Sequence, residues 1–249
     1  MLTLNRPQAR NSLSEDLLTA LAEELALIGD DRRVRAVVLG ANGPAFCAGH
    51  DMRELTARRT DADGGRAYFA QLMDQCSAVM QAIVRLPQPV IAAVGGSATA
   101  AGCQLVATCD LAVASSAAGF CTPGVHIGLF CSTPMVALSR NVARKHALEM
   151  LLTGDTISAD EARRIGLVNR VVAPGQEHEA AMALARQIAE KSTATVKIGK
   201  RAFYEQLEMP LAEAYRHASA VMVENLMMRD SVEGIGAFLD KREPNWEDQ

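Results

Sequence analysis

Apolar residues in this chain follow two habits, short unbroken runs and a three- and four-residue spacing. Val34-Arg35-Ala36-Val37-Val38-Leu39 is a β-branched run stopped by Gly40 and Gly43. Pro89-Val90-Ile91-Ala92-Ala93-Val94, stopped by Gly95 and Gly96, repeats that design. Both predict short buried strands with turn chemistry where they end, and Leu111 to Ala114 predicts another. Between the first two, Tyr68, Leu72, Cys76, Val79, Met80 and Ile83 recur at helical spacing along one buried face. An earlier helix is predicted over Glu15 to Ile28, with Ser14 as N-cap, Leu17, Leu18, Leu21 and Leu25 on one face, and Gly29 as its end. Ser158 opens a short helix from Ala159 to Ile165. From Glu177 onward the pattern is mostly helical, its first face carrying Met182, Ala185 and Ile188. Strands that alternate with helices and then give way to helices alone predict an α/β core over residues 1–175 with a helical region over 176–249. Val221, Met222, Leu226, Met227 and Met228 read equally as core or as a subunit interface.

Composition narrows the class. Of 249 residues, 49% are hydrophobic and 22% charged, the balance of a soluble globular protein. Twenty-five Lys and Arg against 29 Asp and Glu leave a net charge of -4, so no general attraction to phosphate is expected and nucleic acid is not an expected partner. No stretch approaches the ~20 apolar residues of a membrane span, and Met1 to Leu13 lack the basic-then-apolar pattern of a signal peptide. The six cysteines (Cys47, Cys76, Cys103, Cys109, Cys121, Cys131) include no CxxC pair, which suits reduced thiols and a cytoplasmic protein. The five histidines are isolated, none with a histidine partner at i+4, so no metal site is expected.

Two glycine-containing segments follow the predicted strands, Phe46-Cys47-Ala48-Gly49-His50-Asp51-Met52 and Ala98-Thr99-Ala100-Ala101-Gly102-Cys103-Gln104. Small residues at a strand-to-helix turn free backbone N–H groups to face a ligand, and two such groups together can hold a developing oxyanion. The competing reading is tight packing of helix on strand.

These segments, with Leu4-Asn5-Arg6-Pro7 and Asn11, Leu105 and Cys109-Asp110, Leu152-Thr153-Gly154 with Ala162, Gly166-Leu167-Val168, and the closing Phe238-Leu239-Asp240-Lys241-Arg242-Glu243-Pro244, resemble the enoyl-CoA hydratase/isomerase (crotonase) superfamily, in the family's order over nearly the whole chain. Thr122 to Pro134 resembles its branch of type three enoyl-CoA hydratase domain-containing proteins. The resemblance implies a crotonase-like spiral of strand-strand-helix units, a helical C-terminal region that trimerises, a trimer or hexamer, and a pocket for an acyl-CoA thioester as substrate with no separate cofactor. It also implies an oxyanion hole made by the backbone N–H groups of His50 and Ala101, and tips Val221 to Met228 toward an interface.

The family's hydratases use two glutamates, and the matching positions here hold Gln104 and Gly124. Neither can exchange a proton as a carboxylate does, so the usual hydratase route is not expected. Eight residues past Gly124, where other members place an aspartate, stands Ser132, flanked by Cys131 and Thr133. Ser132 and Cys131 are candidate nucleophiles if His126 or the His50 side chain serves as base, and otherwise line the pocket. Ala48, Asp51 and Met52, with Gln104, Gly124 and His126, are the expected substrate-contacting positions, Asp51 reading also as the cap of a helix from Met52. Lys241 either reaches CoA phosphates or belongs to a solvated tail. Two functions stay open: an acyl-CoA enzyme whose reaction is undefined, and a binding protein that holds acyl-CoA without turnover.

Overall fold

A computed structural model describes residues 1–248. Its strands are β1 (Leu2–Leu4), β2 (Val37–Ala41), β3 (Ala45–Cys47), β4 (Val90–Val94), β5 (Ser97–Thr99), β6 (Leu111–Ser115), β7 (Gly119–Cys121), β8 (Ile157–Ser158) and β9 (Arg170–Val172). Its α-helices are α1 (Glu15–Asp30), α2 (Met52–Ala57), α3 (Arg66–Arg85), α4 (Ala101–Thr108), α5 (Ser132–Asn141), α6 (Arg144–Thr153), α7 (Ala159–Arg164), α8 (Glu177–Ala189), α9 (Thr193–Leu207), α10 (Leu211–Met227) and α11 (Arg229–Asp240).

Local chemistry accounts for the helix starts. The Ser14 hydroxyl accepts the Leu17 N–H at 3.2 Å and Ser158 accepts from Glu161 at 3.2 Å, each satisfying an amide that has no partner within its helix. Gly29 does not end α1, which continues to Asp30, because a glycine inside a helix costs only about 1 kcal/mol. The first predicted strand is also displaced: it spans Val37–Ala41 and runs through Gly40. That glycine is there for space, since a Cβ on it would collide with the His178 ring.

Consecutive strands part into two sheets. One has the order β1-β2-β4-β6-β9 and the other β3-β5-β7-β8; every pairing is parallel except β7 with β8. The chain thus winds as a spiral in which β2/β3, β4/β5 and β6/β7 are successive strand pairs. Val38, Ile91, Ala93 and Val113 of the larger sheet pack against Ala181, Leu184 and Ala185 of α8, while Leu39, Val90 and Ala92 face the main core with Leu18, Leu21, Leu72 and Ile83 of α1 and α3. All eight residues of α4 are buried. By contrast α10 buries none of its residues and packs mainly on α9 and α11. Among the described residues no helix is long and apolar enough to cross a membrane.

Candidate functional site

The smaller sheet brings the candidate chemistry together. Its strands β3, β5 and β7 are neighbours and parallel, so the segments that leave their C-terminal ends, residues 48–52, 100–104 and 122–127, emerge side by side. The C-terminal edge of a parallel sheet is where backbone amides and helix N-termini are free to meet a ligand.

The first two turns touch closely. Gly49 has φ +87°, and a Cβ there would lie 3.0 Å from the Thr99 carbonyl oxygen and from the Ala100 Cβ, and 3.3 Å from the Ala101 amide nitrogen. Only glycine allows this approach. Ala100 itself is held at φ 52°, ψ -115°, a conformation that L residues rarely adopt, with its N–H donating to the Cys121 carbonyl at 2.9 Å. Leu13 and His50 form an isolated parallel bridge in which the Leu13 N–H donates to the Gly49 carbonyl at 2.8 Å and the Asp51 N–H to the Leu13 carbonyl at 3.3 Å. In that register the His50 N–H points the other way. Neither the His50 nor the Ala101 N–H has an acceptor among the described residues, although Ala101 is only 1% exposed. A buried amide without an acceptor, as at Ala101, is rare, and with the half-buried His50 amide on the abutting turn it suits one oxygen that carries partial negative charge.

Asp51 does two things. One carboxylate oxygen caps α2 by accepting the Arg53 N–H at 3.1 Å; the other accepts from the Ser12 hydroxyl at 3.1 Å and from Arg6 at 3.3 Å. Burial opposes its ionisation, but the bonds from Arg53, Ser12 and Arg6 outweigh this and hold it below the usual carboxylate range. The cap was legible in sequence; the link to Arg6 was not. Ala48 is half-buried, its N–H donating to the Arg10 carbonyl at 3.0 Å, and Met52 opens α2 with its side chain largely exposed.

Gln104 is buried on α4, three residues past Ala101 and so on the same helix face, and its Oε1 has no partner among the described residues. Gly124 is buried as well, and the chain folds back over it: Leu129 donates to the Gly124 carbonyl at 2.9 Å, and a Cβ on Gly124 would stand 2.8 Å from the Leu129 carbonyl oxygen and 3.0 Å from the Cys131 sulfur. The thiol of Cys131 therefore occupies the space into which a side chain at 124 would project. Burial pushes that thiol up, against an opposing bond from the Gly124 backbone. Burial likewise raises Cys47 to about 12 and Cys76 to about 11, and pushes Cys103 and Cys109 upward; all six cysteines are buried and unpaired.

Among the described residues neither candidate base is hydrogen-bonded to Cys131 or Ser132. His126 Nε2 lies 2.8 Å from the Thr153 carbonyl, a bond it makes as donor, and the exposed Ser132 bonds weakly to the Phe130 carbonyl at 3.4 Å. Both ring nitrogens of His50 are buried without a hydrogen-bond partner, and burial lowers the pKa of that ring against an opposing interaction with the Leu13 backbone. Lys241 ends α11 in a left-handed conformation, exposed, on a helix whose main packing partners are α9 and α10.

A spiral of parallel strand pairs, with two acceptor-less main-chain amides on abutting turns at one sheet edge, defines the α/β architecture of this chain. The chain belongs to the enoyl-CoA hydratase/isomerase family, whose model matches residues 1–249. It is 49% identical over 245 residues to the human protein named enoyl-CoA hydratase domain-containing protein 3, mitochondrial, covering 98% of this chain and 79% of that one. The crystal structure of that human protein superposes with a TM-score of 0.93 over 98% of this chain and 94% of the other. An enoyl-CoA hydratase structure from Mycobacterium smegmatis, 53% identical, gives a TM-score of 0.93 over 98% and 93% of the two chains. The crotonase-type fold expected from the motifs is thus established. The expected cytoplasmic location is corrected: the human, rat and mouse relatives are all named mitochondrial. Cysteine usage reports a reducing environment, not an address within the cell.

Proposed function

We propose that this chain binds acyl-CoA thioesters by placing the thioester carbonyl oxygen between the backbone N–H groups of His50 and Ala101, in a pocket whose acid–base positions are neutral. The observation that carries this reading is the pair of acceptor-less amides on abutting turns. Their worth is considerable, since removal of one oxyanion donor in other enzymes costs about 2.7–4 kcal/mol. Gln104 and Gly124 stand where hydratases of the family carry glutamates, and neither supplies a carboxylate, so hydration by the two-glutamate route is not the function. The raised Cys131 thiol speaks for a lining role before a nucleophilic one. The exposed apolar faces of α10 and α11 support self-association as a trimer or hexamer.

Calorimetry with butyryl-CoA and a crotonyl-CoA hydration assay test the reading. Ala101 is the first residue of α4, where a helix tolerates proline, so Ala100→Gly/Ala101→Pro removes one donor hydrogen while the glycine introduced ahead of the proline absorbs its constraint on the preceding residue. Compared with Ala100→Gly alone, the double variant is expected to bind butyryl-CoA roughly tenfold more weakly. Equal affinity in both, or rapid hydration abolished by Gln104→Ala, overturns the proposal.

A further inference from the structure

We propose that Arg6 acts as a positioning residue that polarises the His50 amide through two aligned peptide groups. This inference rests on the carbonyl-binding role given to His50 above. The Arg6 Nη1 donates to the Ser12 carbonyl at 2.9 Å. The N–H of that same peptide unit belongs to Leu13, and it donates to the Gly49 carbonyl at 2.8 Å. The N–H of the Gly49 carbonyl's own peptide unit belongs to His50. Peptide units are planar and trans, so the C=O and N–H of each point in opposite directions. Guanidinium, peptide 12–13 and peptide 49–50 therefore form one directed relay that ends on the acceptor-less His50 N–H.

The arrangement has two consequences. The Leu13 bond fixes the plane of peptide 49–50, and with it the direction of the His50 N–H. The positive charge at the far end draws electron density along the relay, because bonds in a chain polarise one another, by roughly 10–30% each. Asp51 has a divided role. It holds Arg6 in place at 3.3 Å and Ser12 at 3.1 Å, but its negative charge opposes the polarisation that Arg6 supplies. The Arg6 and Asp51 side chains are 31% and 13% exposed, so solvent weakens the relay without abolishing it. The segment is further held by Asn11, whose side chain donates to the Asn42 and Ala45 carbonyls at 2.8 Å each and accepts the Arg6 N–H at 2.8 Å.

A clamp that is merely structural and a relay that polarises separate on whether position 6 keeps a charge or only a donor. Arg6→Gln removes the charge while its amide N–H can still donate to the Ser12 carbonyl, whereas Arg6→Lys keeps the charge. The readout is the carbonyl stretch of bound butyryl-CoA, isotopically labelled at the carbonyl carbon, by isotope-edited infrared difference spectroscopy, with affinity by calorimetry and melting temperature measured alongside. In wild type the stretch is expected to shift to lower frequency on binding. Arg6→Gln is expected to reduce that shift and weaken affinity roughly two- to fivefold, as suits one partly solvated charge. Arg6→Lys, which keeps the charge, is expected to recover part of both. An unchanged shift in Arg6→Gln, or a shift lost equally in Arg6→Gln and Arg6→Lys, overturns the relay. An unshifted carbonyl or no binding in wild type overturns the carbonyl-binding reading itself, which separates the two failures.

Discussion

Ala100 stores strain where the ligand is expected. A residue with φ 52° and ψ -115° sits in a region costing of order 1–3 kcal/mol, and it persists because the surrounding turns over-determine it. Its N–H is bound to Cys121, its carbonyl accepts the Gln104 N–H at 3.0 Å, and Gly49 packs on its Cβ. Glycine relieves the strain and gives back part of the gain as entropy in the unfolded chain. Ala100→Gly is therefore expected to raise the denaturation midpoint by roughly 1 kcal/mol equivalent with an unchanged m-value, as urea titration would read. A lower midpoint would mean that the alanine methyl contributes more by packing than its backbone costs.

Lys200 does at the scale of elements what Ala100 does locally. Its ammonium donates to Asp110 at 2.6 Å and to the Ile83 and Gln88 carbonyls at 3.1 Å each, so one side chain on α9 joins the end of α3, the approach to β4 and the residue before β6. Asp110 also accepts the Val90 N–H at 2.6 Å and the Tyr204 hydroxyl at 2.9 Å. The pair is nearly closed to solvent, with the two side chains 7% and 14% exposed. Lys200→Met leaves a buried carboxylate short of its cation and is expected to cost about 3 kcal/mol. Lys200→Met/Asp110→Asn keeps an acceptor for Val90 and removes the stranded charge, so it is expected to lose less than the sum of the single changes. Additive losses in a double-mutant cycle would show the ion pair to be uncoupled.

Such joints also mark where sequence pattern stops being informative. Strands β2, β4 and β6 were legible because each is a five-residue, mostly buried run. Their companions β3, β5 and β7 have three residues each, and in Ser97-Ala98-Thr99 the alternation of exposed and buried positions is too short to read, yet these three align the candidate site. The two glycine turns and Asp51 as a cap were legible because each rests on local chemistry. The Arg6 relay was not, since it passes through main-chain atoms that no residue type announces.

At the scale of the whole molecule, the C-terminal region is anchored but uncovered. Buried Asp230 accepts the Glu247 and Asp248 N–H groups at 2.8 and 3.0 Å, Trp246 donates to the Glu190 carbonyl at 2.9 Å, and Asp248 pairs with Arg35 at 2.8 Å, which ties the last residues to α8, α11 and the spiral. On α10 and α11, Met227 and Phe238 are 80% and 81% exposed, and Met222, Leu226 and Leu239 are exposed as well. This settles the two readings of Val221 to Met228 against the chain's own core, since none of those residues is buried. Exposed apolar residues gathered on two helices that pack on one another support the self-association proposed above. Met227→Glu/Phe238→Glu places charge on that face without touching a buried group, so it is expected to shift the protein from an oligomer toward monomer in sedimentation velocity while the far-UV circular dichroism is kept. Wild-type protein that sediments as a monomer at micromolar concentration would refute the association, and would leave α10 and α11 needing another partner to cover them.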